Sequence, residues 1–164
     1  MSVVVGQRAV KDTPANKMFY AVDKARELAT HTIRICANPK VFDARYQIIT
    51  QQIINTAMQI YSNAWEANHV FVRTNPSGSP NQDDWEGRRA YQRAAIRKCN
   101  ILLSMIDLSK QLYHLRSRKV KFWAMMVVEC RNDLMRWYAA DQKRYGAKAK
   151  AEASTEYGPQ DWHS

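Results

Sequence analysis

The sequence predicts an all-α protein, an antiparallel up-down-up-down four-helix bundle over residues 14–145, and three observations predict it. Four long segments, residues 14–37, 41–69, 84–116 and 118–145, carry apolar residues at steps of three and four, the spacing of one helix face. Only five glycines and five prolines are present, too few for the tight turns of a sandwich or barrel, and most fall outside those segments. Hydrophobic residues make up 46% of 164 residues, enough to close one core of ordinary domain size. Two short connections and one longer one join the segments, which favours antiparallel neighbours.

Residues 1–13 read as an N-terminal arm, in which Val3-Val4-Val5 suits either a short strand or an apolar arm. Thr13-Pro14 is a helix start, with Thr13 as N-cap and Pro14 at the first helical position. The first segment then steps through Met18, Val22, Ala25, Ala29, Ile33 and Cys36. Asn38-Pro39 interrupts it, because proline disfavours helix in the residue before it. The second segment follows with Phe42, Tyr46, Ile49, Ile53, Ala57, Ile60 and Ala64. Residues 72–83, VRTNPSGSPNQD, are loop-forming throughout, and Asp83 or Asp84 is expected to cap the third segment. Ser117 is a weak break before the fourth segment, whose stripe is Trp123, Val127, Cys130, Leu134 and Trp137. Gly146 is expected as its C-cap, with residues 146–164 a flexible tail.

The third segment carries two apolar stripes. One runs Ala95, Cys99, Leu102, Ile106, Ser109, Tyr113; the other runs Ile101, Met105, Leu108, Leu112, Leu115. At 100° per residue they lie roughly 120° apart. Either the helix has one broad buried face, or one stripe packs inside and the other forms a subunit interface in a homo-oligomer.

The formal charge is +10 and the isoelectric point about 9.7, which hints at nucleic acid. It is not a uniform coat: residues 84–119 hold nine basic residues against Asp84, Glu86 and Asp107, a net +6. Arg89, Arg93 and Arg97 are four apart, so their side chains share one helix face, and like charges at this spacing oppose each other. Neither Asp84 nor Glu86 stands three or four residues from Arg93 or Arg97. A row of planar guanidinium forks about 6 Å apart can follow a phosphate backbone. A second cluster, Arg116, Arg118, Lys119 and Lys121, falls at the far end of the same segment. A solvated face is the plain alternative for both; for the second cluster, cations at a helix C-terminus also complement the dipole.

Other chemistry has little support. Cys36, Cys99 and Cys130 form neither a disulfide framework nor a CxxC motif, and each reads as a small buried residue. His31, His69, His114 and His163 are scattered; the one Glu-x-x-His, Glu66 to His69, lacks the second copy a di-iron bundle needs. Phosphate-loop, dinucleotide and nucleophile-elbow motifs are absent, so no catalytic residue, metal or cofactor is expected. Asp23 and Asp133 read as solvated or paired with a nearby cation. Trp65, Trp85, Trp123 and Trp137 read as core and Trp162 as exposed. No apolar run approaches the roughly 18 residues of a membrane span, and MSVVVGQRAVKD is too short and too soon charged for a signal peptide. A cytoplasmic protein is the expectation.

Residues 42–68 (FDARYQIITQQIINTAMQIYSNAWEAN), 84–109 (DWEGRRAYQRAAIRKCNILLSMIDLS) and 119–145 (KVKFWAMMVVECRNDLMRWYAADQKRY) resemble a four-helix-bundle group. That group comprises the ribosomal-RNA intervening-sequence proteins and the accessory variability determinants of diversity-generating retroelements. The markers are an aromatic-Arg start to helix two, an Arg- and Gln-rich start and Leu-rich end to helix three, and Lys119, Trp123, Trp137 and Asp141 in helix four. The resemblance implies a non-catalytic, ring-like homopentamer with a basic surface. Such a protein binds a reverse transcriptase and its template RNA, or the cDNA, during error-prone cDNA synthesis. The matched basic positions are Arg88, Arg89, Arg93, Arg97 and Lys98, with Arg116, Arg118, Lys119 and Lys121 as a second set. On the intervening-sequence branch the function stays open, and the plain alternative is an oligomerising module that binds an acidic protein. The arm, the 72–83 loop and the tail depart from the compact core of the group.

Overall fold

The computed structural model describes residues 14–148, with side chains described from residue 20 onward. It is an all-α four-helix bundle: α1 Pro14–Cys36, α2 Gln47–His69, α3 Gln82–Leu112 and α4 Ser117–Asp141. Helix α1 packs on α2 and α4, and α3 on α2 and α4, so the four close a ring around one core. Contacts between opposite ends make the neighbours antiparallel. Trp123 at the start of α4 donates from Nε1 to Thr32 Oγ1 near the end of α1 (3.0 Å). Tyr113 after α3 meets Thr50 at the start of α2 (2.7 Å), and Arg88 early in α3 meets Asp141 at the end of α4. The arm 1–13, the side chain of Met18 and tail residues 149–164 lie outside the described residues.

The predicted stripes form the core. From α1 come Val22, Ala25 and Ala29, joined by Leu28, which the stripe does not include; from α2 come Ile53, Ala57, Ile60 and Ala64, joined likewise by Ala67. Helix α3 buries Ala95, Cys99, Leu102 and Ile106, and α4 buries Trp123, Val127, Cys130, Leu134 and Trp137. Small alanines of α1 and α2 and the two large indoles of α4 share this one core, the mix of sizes by which side chains fill an interior at native density. All three cysteines are buried and unbridged, as their composition suggested. Ile33 departs from its stripe and is 42% exposed, and Trp65 is 42% exposed and stacked on His69 at 4.5 Å.

Several boundaries differ from those the sequence suggested. Helix α2 starts at Gln47, because residues 38–46 make a bend and a short 3-10 turn, Ala44–Tyr46, capped by Asp43. Phe42 is nevertheless buried, against Tyr113 (ring centroids 4.5 Å apart). The N-cap of α3 is Asn81: its Oδ1 accepts from Asp84 N at 3.1 Å, while Asp83 and Asp84 sit in the first turn, where acids favour the dipole. The 72–83 loop folds back on itself through a Thr74–Pro80 bridge, with Gly78 at φ 88° in its turn. Gly146 does not end the fourth helix, which continues through a π-helical turn, Gln142–Gly146, to residue 148. The weak break near Ser117 is a real one: α3 ends at Leu112 and α4 begins at Ser117, with His114 at φ 51° between them.

Candidate nucleic-acid interface

The basic residues of α3 do not act as one set. Arg88 is buried: Nε donates to Asp141 Oδ2 at 2.6 Å, Nη2 to Asp141 Oδ1 at 3.2 Å, and the guanidinium lies 5.2 Å from the Trp137 ring centroid. It is therefore not a surface contact for RNA, contrary to its assignment by resemblance. The helical period explains why: Arg88 follows Trp85 by three residues on the face that also carries Gln92 and Ala95. Arg89 is half-buried over Trp85 (4.6 Å) and donates to Glu86 Oε1 at 3.0 Å and Tyr138 OH at 3.4 Å. The Tyr138 hydroxyl, more than Glu86, holds the Arg89 guanidinium above its ordinary pKa. Arg93 and Arg97 remain exposed and have no ion pair among the described residues; Lys98 is half-buried and likewise has none.

The second cluster changes meaning. Because α3 stops at Leu112, Arg116, Arg118, Lys119 and Lys121 do not complement a helix C-terminus. Arg116 is the N-cap of α4, its side chain makes no capping bond, and no acid lies in the first turn. All four are exposed, at the positive end of the α4 dipole, where cations are disfavoured. The dipole explanation therefore works against this cluster.

Folding adds to it. The end of α1 and the turn after it bring Arg34 and Lys40 beside Arg116, Arg118 and Lys119 around a cavity of about 980 Å³. Its wall includes Ile35, Val41, Phe42, Leu115, Phe122 and Trp123, with His31 and His114, and no aspartate or glutamate among the described residues. None of those five cations has an ion-pair partner among the described residues, whereas Lys24, Arg26, Arg45, Arg73 and Arg136 do. Asp23 and Asp133 are among those partners, as expected of them. His31 sits edge-on to Phe122 (5.3 Å), and burial first, Arg34 second, pull its pKa below the ordinary imidazole value. Sequence reasoning missed Arg34 and Lys40, since neither belongs to a run of cations; their only signal is antiparallel packing that sets the end of α1 beside the start of α4.

The second apolar stripe of α3 is used largely inside the chain. Met105, Leu112 and Leu115 pack against the core, Ile101 is half-buried, and Leu108 is 50% exposed. Met105 reaches α2, where Thr56 Oγ1 approaches its Sδ at 3.5 Å. No described helix is long and apolar enough to cross a membrane. No protein-family model, curated protein or solved structure matches this chain.

Proposed function

We propose that this chain is a non-catalytic RNA-binding subunit that acts in the cytoplasm with a reverse transcriptase and its template RNA in a diversity-generating retroelement. The observation that carries the RNA part is the end of the bundle at the start of α4: five cations around one cavity and, among the described residues, no carboxylate in its wall and no ion pair on any of them. Such a cluster repels itself unless an anion completes it. Arg93 and Arg97, exposed on α3 more than four turns before its C-terminus, are a separate basic set that offers further phosphate contacts. The reverse-transcriptase partner and the homopentamer rest on the resemblance of residues 42–68, 84–109 and 119–145. In the assembly, Leu108 and Ile101 are the residues of the second stripe left to meet a neighbouring subunit.

The test is the affinity of the full chain for a labelled single-stranded RNA between about 50 and 200 mM salt. Each single-strand phosphate contact contributes about −0.7 to the log–log slope. Changing Arg116, Arg118 and Lys119 together to Ala should therefore flatten the slope by about 2, and Arg93→Ala with Arg97→Ala by about 1.4. Absence of binding at low salt, or a slope that neither set alters, overturns the RNA reading and leaves an acidic protein as the partner to seek. Co-purification with the reverse transcriptase encoded nearest to it tests the partner.

A further inference from the structure

We infer that the cavity at the start of α4 holds a single unstacked base of the bound RNA strand, with the phosphates on either side of that base on the surrounding cations. This deepens the RNA reading and rests on it. A purely electrostatic track needs charge alone; this cavity has charge and an apolar wall together. Phe122, a large aromatic that the fold leaves 50% exposed, lies in that wall with Phe42 and Leu115. The volume, about 980 Å³, lies at the upper end of the roughly 300–1,000 Å³ that holds a small organic ligand. A base offers a flat π-face to such a wall whatever its identity, and its neighbouring phosphates reach outward to cations.

Two further features fit a base with its phosphates better than an apolar anion bearing one charge. The cations come from three places, Arg34 on α1, Lys40 in the following turn and Arg116, Arg118 and Lys119 at α4, so more than one phosphate can be met. The first-turn N–H groups of α4, which no side chain caps, add donors for phosphate oxygen at the same place.

The experiment compares the full chain's affinity for an RNA oligonucleotide and for a strand of equal length made of abasic ribose-phosphate units. Both carry the same phosphates, so only base contacts separate them. One stacked base is worth about 1–3 kcal/mol by substitution, so the abasic strand should bind roughly 5- to 150-fold more weakly. Phe122→Ala should weaken RNA by a similar factor, leave the abasic strand's affinity unchanged, and keep the melting curve; Phe122→Tyr should restore RNA binding. Equal affinity for the two strands, or loss of both in Phe122→Ala with the fold intact, overturns the inference while the RNA reading stands. If neither strand binds at low salt, both readings fall.

Discussion

Removing the carboxylate of Asp141 tests a buried ion pair of the bundle. Asp141 accepts from Arg88 Nε at 2.6 Å, from Arg88 Nη2 at 3.2 Å and from Gln92 Nε2 at 2.8 Å, and the Arg88 and Asp141 side chains are each 6% exposed. The pair is bidentate, the geometry in which a guanidinium and a carboxylate interact best. Asp141→Ala leaves the Arg88 charge buried with far less compensation, a change that costs about 3–5 kcal/mol. For a chain of this size each kcal/mol lowers Tm by about 2–4 °C, so the expected drop is about 6–20 °C. The urea midpoint, followed by circular dichroism, should fall by about 2 M for a dependence of about 2 kcal/mol per molar. Replacing both partners by apolar residues, Arg88→Met with Asp141→Leu, should recover most of the loss, because desolvation of the two charges disappears with their attraction. The same double variant should bind RNA as the parent does, since Arg88 is not on the surface. A loss under about 1 kcal/mol in Asp141→Ala, or a double variant no more stable than the single one, would refute the reasoning.

Two smaller perturbations probe local physics. Asn81→Ala removes the side-chain acceptor for Asp84 N and should cost about 1 kcal/mol in urea denaturation, whereas Asn81→Gly should cost only a few tenths. Burial pushes the Cys36 thiol up from its ordinary value near 9 to about 12, so the unfolded chain loses that proton first. The resulting stability is complete below about pH 9 and is lost as pH rises toward 12; Cys36→Ala should make the urea midpoint fall less than the parent's between those values.

The apolar stripes were legible because helical period and burial are the same information. Ile53, Ala57, Ile60 and Ala64 on α2 lie where their steps of three and four place them. Ile33 and Trp65 departed because their helix faces point past the neighbouring helices, which period alone does not locate. The start of α3 lies two residues before the expected residue 84, since Asn81, Asp83 and Asp84 are all competent caps and only the loop bridged at Thr74–Pro80 selects the first. The basic residues were harder. A count of charge along the chain treats Arg88 and Arg93 alike, although one faces the core and the other solvent.

The sequence by itself determined the four helices, most residues of their buried faces and the concentration of positive charge between residues 84 and 119, because each is a property of near neighbours in the chain. Only the tertiary structure decided which cations face water and which are already paired. Antiparallel packing sets Asp141 against Arg88, 53 residues away, and removes that arginine from the surface. It also carries Arg34 and Lys40 to the start of α4, beside Arg116, Arg118 and Lys119, and forms the cavity between them. Charge is written along the chain, but its compensation is settled by distance in space, and a Coulomb interaction between residues far apart in sequence exists only once the bundle has closed.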